Sequence, residues 1–180
     1  MLVIALMQPP QNGLNLPLSL AFYIFPALLI QSKVLPNSTE FKMKQVNELM
    51  AAPVHTLPTG SNLQDAEQLM GSKQIRHLPI VNADNQVIGL LTQREFLAEA
   101  FRITDRFGAQ NLKAYLAKTP VEQCMNTDIN SIGPNSSLKE AAQLLLKTRI
   151  GCVLITDEQQ QLLGIISSKD FVRLSIELLD

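Results

Sequence analysis

The chain contains one long stretch twice, and this repeat limits what it can fold into more than any other feature. At a shift of 75 residues, Val46–Phe101 aligns with Val121–Ile176 without a gap, and twelve of the 56 aligned pairs are identical. An octet shows the repeat directly: GLLTQREF at Gly89–Phe96 returns as GIISSKDF at Gly164–Phe171. Two copies of one unit predict a two-lobed α/β fold with pseudo-twofold symmetry rather than a solenoid.

Each copy predicts the order β-α-β-β-α after a short helical lead-in, with small sheets flanked by helices. A serine begins the first helix of each copy, and Ser137 with Glu140 forms a predicted capping box. The apolar strands that follow are expected to be buried on both faces. The predicted elements are Val46–Met50, Val54–Leu57, a helix through Leu63, His77–Val81, Val87–Leu91 and Gln93–Phe101 in the first copy, and Val121–Met125, Ile129–Ile132, a helix through Leu138, Cys152–Thr156, Leu162–Ile166 and Ser168–Leu178 in the second.

The predicted domain boundaries follow from this order. Residues 43–102 form the first copy, 103–120 a mostly helical connector and 121–180 the second copy. Residues 1–42 form a separate apolar arm that has no counterpart in the repeat.

The arm has no charged side chain before Lys33, and Leu14–Ile30 contains 17 mostly apolar residues, the short end of what can cross a bilayer. Pro17 and Pro26 would interrupt a helix there, and no basic residue precedes the apolar run as it does in a secretory signal. Three interpretations stay open: a membrane anchor, a disordered or loosely packed arm, and translation upstream of a start at Met43. The length and the prolines favour the last two, so we expect a cytoplasmic protein.

Composition excludes several classes of function. Fifteen basic and sixteen acidic residues leave a formal charge of −1, without a basic stripe for nucleic acid. The two cysteines fit neither a disulfide framework nor a CxxC metal site, and the two histidines are far apart. No nucleophile elbow, P-loop or HExxH motif is present. We therefore expect no metal, no catalytic cofactor and no enzymatic activity.

Four features recur in order: a Met before the first strand, Ser-x-Leu-x-x-Ala at Ser61–Ala66, HLPIV at His77–Val81, and Gly-x-x-Thr/Ser-x-x-acid in the octet. This string resembles the CBS domain, and two in tandem resemble the CBS pair called a Bateman module. The resemblance covers residues 43 to about 179. It implies a regulatory module that binds an adenosine-containing ligand (AMP, ADP, ATP or S-adenosylmethionine).

The end of each octet has a purely structural interpretation. Thr92 with Glu95, and Ser167 with Asp170, place a hydroxyl at the N-cap of a helix and a carboxylate at its third position. Such a capping box explains these residues without any ligand.

Three features of the same residues favour a nucleotide. Each octet helix begins at the carboxyl end of a buried strand, where α/β sheets leave a crevice. A helix N-terminus offers unpaired N–H groups to a phosphate. Arg94 and Lys169 add a cation beside each carboxylate, which could itself accept hydrogen bonds from ribose hydroxyls.

The resemblance implies two clefts between the copies, each with an octet on one side and a wall from the opposite copy. The first cleft would use Ser167, Asp170 and Ile165 against Pro53–His55, Ile75 and Arg76. The second would use Thr92, Glu95 and Leu90 against Asp128–Asn130, Ile150 and Gly151.

The two expected clefts differ at two positions. The first has Asp170 and Arg76 where the second has the longer Glu95 and Gly151. We therefore predict tighter binding in the first cleft.

Two functions remain in competition. The first is a nucleotide sensor, expected to be a homodimer, that passes its state to an enzyme or transporter. The second is a structural dimerisation element whose clefts are empty, which the capping-box interpretation would explain fully.

Overall fold

The computed structural model describes residues 45–148 and 151–179. The predicted arm at 1–42 and the predicted wall residue Ile150 lie outside these residues. Both copies belong to one compact unit, Lys42–Asp180. Among the described residues, no helix combines the length and apolar character that a membrane span needs.

The first lobe is a three-stranded sheet with two helices. Its elements are β1 (Leu57–Pro58), α1 (Leu63–Lys73), β2 (His77–Val81), β3 (Val87–Thr92) and α2 (Gln93–Phe107). The sheet order is β1-β2-β3, with β1 parallel to β2 and β2 antiparallel to β3. This is the predicted β-α-β-β-α unit.

The connector is part of the first lobe. Helix α2 continues six residues beyond the predicted end at Phe101, and a 3-10 turn then leads into the short helix α3 (Leu112–Leu116). Ile103 and Leu116 are buried in the core of the first lobe. The rings of Phe107 and Tyr115 stack at 3.9 Å between centroids and hold the two helices together.

The second lobe repeats the first without this extension. Its elements are β4 (Ser131–Ile132), α4 (Leu138–Lys147), β5 (Cys152–Thr156), β6 (Leu162–Ser167) and α5 (Ser168–Glu177). The sheet order β4-β5-β6 has the same parallel and antiparallel pairings. Unlike the other long strands, β6 is only partly buried, which corrects the expectation of burial on both faces.

The first strand of each copy is shorter than predicted. Only Leu57–Pro58 and Ser131–Ile132 pair with a neighbour, and the residues before Leu57 are exposed or half-buried. Pro53 has no N–H to donate to a ladder, which disfavours pairing at the start of the predicted strand in the first copy. The lead-in helices are also shorter than predicted, since only 3-10 turns form at Val46–Glu48 and Val121–Gln123.

The predicted helix starts need two corrections. Asn62, not Ser61, caps α1, because its side chain accepts hydrogen bonds from the amides of Gln64 and Asp65 at 2.9 and 3.1 Å. The Ser61 hydroxyl instead donates to the carbonyl of Pro58 at 2.7 Å. Ser137 caps α4 and accepts from the Glu140 amide at 3.1 Å, but the return hydrogen bond from the Ser137 amide to the Glu140 side chain, which would complete the predicted capping box, is not present.

The two lead-ins cross to the opposite lobe. Val46 is fully buried in the core of the second lobe, and its amide donates to the carbonyl of Ser136 at 3.0 Å. Its counterpart Val121 is fully buried in the core of the first lobe and donates to the carbonyl of Ser61 at 3.0 Å. Each core is therefore completed by a segment of the other copy.

Further contacts between the copies obey the same symmetry. Met50 packs on Gly164, and Met125 packs on Gly89, so closely that neither glycine has room for a Cβ atom. The aligned residues Gln86 and Gln161 meet each other in an isolated bridge. These contacts between the copies explain why the residues that make them are identical in both halves of the repeat. They also define the pseudo-twofold axis.

Candidate functional site

A cleft of about 630 Å³ lies where the two copies meet. Its walls come from the turn between α1 and β2, from the starts of α2 and α5, and from the end of β6. The lining residues are Ala51, Lys73, Gln74, Ile75, Arg76, His77, Thr92, Gln93, Arg94, Gly151, Ile165, Ser167, Ser168, Lys169, Asp170 and Arg173.

This cleft extends across the pseudo-twofold axis. Four pairs of aligned residues line it together: Arg76 with Gly151, Thr92 with Ser167, Gln93 with Ser168 and Arg94 with Lys169. The sequence had assigned Thr92 and Gly151 to a separate second cleft. The structure instead brings the starts of both octet helices to one shared space.

Positive charge dominates the lining. Among the residues that the structure describes, five cations and one carboxylate, that of Asp170, line the cleft. The chain as a whole has a formal charge of −1, so this concentration of cations is local. Such a lining attracts anions. The five cations are Lys73, Arg76, Arg94, Lys169 and Arg173.

Asp170 is held in place by the start of its own helix. One carboxylate oxygen, Oδ2, accepts from the Ser167 amide at 2.8 Å and from the Ser167 hydroxyl at 2.7 Å. The other oxygen, Oδ1, lies 3.9 Å from Nη1 of Arg173. The residue is only 8% exposed. Asp170 therefore both completes a capping box and offers its second oxygen at the wall of the cleft.

Glu95 occupies the aligned position but is not in the cleft lining. It accepts from the Thr92 amide at 3.2 Å and from the Thr92 hydroxyl, and its other oxygen pairs with Nη2 of Arg94 at 3.0 Å. Burial alone would raise the pKa of the Glu95 carboxyl, but the hydrogen bonds from Thr92 and Arg94 outweigh it and lower this pKa below 4.5. Both of its oxygens thus have partners within the protein.

The turns before β2 and β5 are tied to the octet helices. The Gln93 amide donates to the carbonyl of Arg76 at 2.9 Å, and the Ser168 amide donates to the carbonyl of Gly151 at 3.4 Å. Gly151 has φ +79°, and Nε2 of His77 would lie 3.4 Å from a Cβ atom added there. A positive φ favours glycine, so the backbone disfavours a basic side chain at the position aligned with Arg76.

The predicted contact residues in the described part of the chain divide into two groups. The cleft brings together Ile75, Arg76, Thr92, Arg94, Ile165, Ser167, Lys169 and Asp170. Pro53, His55, Leu90, Glu95 and Asn130 are not in its lining. Leu90 is 1% exposed because its side chain packs in an apolar cluster between the two sheets with Val87 and Leu154.

Sequence reasoning missed two of the cations. Arg173 lies one helical turn after Asp170, so helical spacing could have placed it on the same face. Lys73 ends α1, three residues before Arg76. Lys73 reaches the cleft because α1 ends there. The position of this helix end depends on how the two copies pack, so no local sequence pattern predicts it.

Other groups in the described part of the chain show no comparable chemistry. No group of three potential metal ligands occurs there. Burial raises the pKa of the Cys124 thiol to about 11 and that of Cys152 to about 12, so both thiols stay protonated at neutral pH. A second cleft of about 660 Å³ is lined by residues of the second copy, from β4 and the loop that follows it and from the end of β5 and its turn.

Comparison with known proteins agrees with this architecture. The CBS domain family matches residues 46–102 and 121–177. The CBS domain-containing protein YhcV of Bacillus subtilis is 32% identical over 128 residues, which cover 71% of this chain and 83% of YhcV. A homoserine O-acetyltransferase of Methanohalobium evestigatum is 22% identical over 72% of this chain, but the chain spans only 24% of that enzyme.

Solved structures show the same fold. A Vibrio cholerae protein assigned to acetoin utilization (AcuB) has a TM-score of 0.63 and 36% identity over 76% of this chain and 93% of its own. The CBS domain pair of MJ0100, solved with 5′-methylthioadenosine and S-adenosyl-L-methionine, has a TM-score of 0.62 and 23% identity over 75% and 98%. CBSX2, solved with AMP, has a TM-score of 0.62 and 21% identity over 76% and 98%.

Proposed function

Because this chain belongs to the CBS domain family, we propose that it is a regulatory module that binds an adenosine-containing nucleotide in the cleft between its two copies. Two CBS pairs with the same fold were solved with AMP or with S-adenosyl-L-methionine and 5′-methylthioadenosine. Those ligands share an adenosine group, and this class of ligand is the one we assign here.

The observation that carries the proposal is the position of Asp170 among the cations. Its Oδ1 is available to accept hydrogen bonds from the ribose hydroxyls, while Oδ2 stays in the capping box. Ile75 and Ile165 provide apolar contact for the base, and Arg76 and Lys169 meet the phosphate. An anionic sugar ligand matches both the charge and the polarity of the cleft.

Signalling in this proposal occurs through binding rather than through catalysis. A nucleotide that prefers one arrangement of the two copies shifts the population toward it, and an enzyme or transporter reads that state. We propose a homodimer as the working form. Apolar side chains exposed on α2 and α5 supply a surface for it: Leu97, Phe101, Val172 and Ile176.

A structural module with an empty cleft is the second candidate. The capping boxes at Thr92 and Ser167 are complete without a ligand, so the octets do not by themselves require one. The two functions differ in what a nucleotide does to stability. A ligand specific for the folded state adds about 2.7 kcal/mol at 100 times its dissociation constant, and an empty module gains nothing.

The test is isothermal titration of the full chain with AMP, ATP and S-adenosylmethionine, alongside thermal unfolding. We expect Asp170→Ala to lose at least about tenfold in affinity, equal to 1.4 kcal/mol. Asp65→Ala is the matched control, since Asp65 also closes a capping box at the third position of a helix but is not in the cleft lining. Equal binding by the two variants, or no binding by the wild type, would reject the proposal.

A further inference from the structure

Among the described residues, the shared cleft brings an apolar side chain and a carboxylate together for a nucleoside on one side of the axis. On the side of the second octet, Ile165 is half-buried and lines the cleft with Ile75 and Asp170. On the other side the aligned residue Leu90 is 1% exposed, and the aligned carboxylate of Glu95 is not in the lining. The symmetry of the repeat is therefore broken where a second base and ribose would lie.

The cations, in contrast, lie on both sides of the pseudo-twofold axis. Lys169 and Arg173 come from α5 beside Asp170, whereas Arg76 and Arg94 come from the first copy, where the Gln93 amide at the start of α2 donates to the carbonyl of Arg76. A ligand that fills only the half containing Asp170 does not reach the far wall of the same cleft, where Arg94 pairs with the single carboxylate of Glu95. A longer anionic chain would meet both walls.

Charge balance points the same way. Five cations stand against Asp170 in the lining, and counting Glu95, which pairs with Arg94, still leaves three positive charges in excess. A monophosphate carries only about −1.5 to −2 at pH 7, and each further phosphate adds about one charge. A diphosphate or triphosphate matches the excess better.

The ion pair between Arg94 and Glu95 does not prevent this role. The Arg94 side chain is 71% exposed, and an exposed ion pair contributes only about 0–1 kcal/mol. A phosphate chain that presents several oxygens to the guanidinium group in a cleft can compete with a single carboxylate oxygen.

We propose that the cleft binds one nucleoside polyphosphate per chain, with the nucleoside beside Asp170 and the phosphates extending across the pseudo-twofold axis to Arg94. This inference rests on the proposed function and specifies its ligand class and stoichiometry. Both octets then serve a single ligand: one contacts its ribose and the other the end of its phosphate chain.

The experiment is isothermal titration of the full chain with AMP, ADP and ATP in EDTA, so that no metal ion neutralises the phosphates. We expect one ATP per chain and an affinity for ATP at least about tenfold above that for AMP, with ADP between them. In Arg94→Ala the ratio of ATP to AMP affinity should fall at least about fivefold. Arg102→Ala is the matched control, because Arg102 is 68% exposed, pairs with Glu99 on the same helix and is not in the cleft lining.

The possible outcomes separate this inference from the function on which it rests. Two AMP molecules per chain, or equal affinity for AMP and ATP, would overturn the inference and leave nucleotide binding intact. An unchanged ratio in Arg94→Ala would also overturn it. Absence of binding by all three nucleotides would overturn the inference, and absence of binding by S-adenosylmethionine as well would reject the proposed function.

Discussion

The octet at Gly89–Phe96 and the octet at Gly164–Phe171 build the same local structure in different surroundings. Both end in a capping box that starts a helix at the shared cleft. In the second octet the carboxylate of Asp170 lines the cleft, whereas in the first the carboxylate of Glu95 turns to Thr92 and Arg94. The side chain of Glu95 is thus one methylene group longer than that of Asp170, and it caps its helix without lining the cleft.

The difference shows that duplication preserves the fold more strictly than the site. The residues that hold the copies together, such as Met50 and Met125 on their glycines, remain identical because each contact occurs twice. The residues that face the cleft diverge, as Arg76 and Gly151 do. Four experiments test the differences between the two copies, in order of decreasing expected effect.

The lobes themselves differ, because only the first includes the connector in its core. Leu116 is 1% exposed, and we expect Leu116→Ala to lower the free energy of unfolding by about 3 kcal/mol. Leu146→Ala, at a residue 89% exposed, should change it by less than about 0.5 kcal/mol. Urea unfolding measures both, and a small effect at Leu116 would mean that the connector is not part of the core.

The symmetric glycines should respond unequally to a methyl group. The three atoms nearest to a Cβ at Gly164 would include Cβ of Met50 at 3.2 Å, next to the backbone, whereas the three nearest to a Cβ at Gly89 would be Sδ, Cγ and Cε of Met125. Since the outer atoms of a methionine can move aside, we expect Gly164→Ala to cost about 2 kcal/mol and Gly89→Ala about 1 kcal/mol. Urea unfolding of the two variants would contradict this if the order were reversed.

The cap at Glu95 should make a stability contribution that depends on pH. Its folded-state pKa lies below 4.5, so the contribution is present above about pH 4.5 and disappears as the pH falls through the lower folded value. Glu95→Gln should cost about 0.5 kcal/mol at pH 7, and its difference from wild type should shrink as the pH is lowered from 7 to 3. Unfolding at both pH values tests this, with Glu140→Gln, at the same position of α4, as the control.

Both thiols should react more slowly than an exposed cysteine, and Cys152 should react more slowly than Cys124. Burial raises the pKa of Cys152 to about 12 and that of Cys124 to about 11, and Cys152 is 2% exposed in the cluster between the sheets. At pH 7.4 we expect a thiol reagent to label Cys124 slowly and Cys152 more slowly still. Mass spectrometry after timed labelling gives the order, and equal rates would contradict it.

The parts of the fold that depend on residues close together in the sequence could be predicted. The middle strands and the octet helices follow from apolar runs and hydroxyl–carboxylate spacing, so their starts agree with the structure at His77, Cys152, Gln93 and Ser168. The first strands were predicted too long because alternation within a few residues does not reveal whether a partner strand extends that far.

The site was harder to predict because it depends on contacts between the copies. No periodicity shows that Val46 belongs to the second core, or that Thr92 and Ser167 border the same cleft. The position of Glu95 depends on one methylene group and on a neighbouring arginine. The family resemblance supplied the residue types, and the packing of one copy against the other decided which of them line the cleft.

The crossed lead-ins have a consequence for the origin of such a chain. Each exchange between the copies is reciprocal: Val46 bonds to Ser136 as Val121 bonds to Ser61. Reciprocal contacts of this kind are those of an isologous dimer interface. A single copy on its own would leave a hole in its core that only a second molecule could fill. The present chain thus has the architecture of an obligate homodimer whose subunits became covalently fused, after which each half was free to specialise.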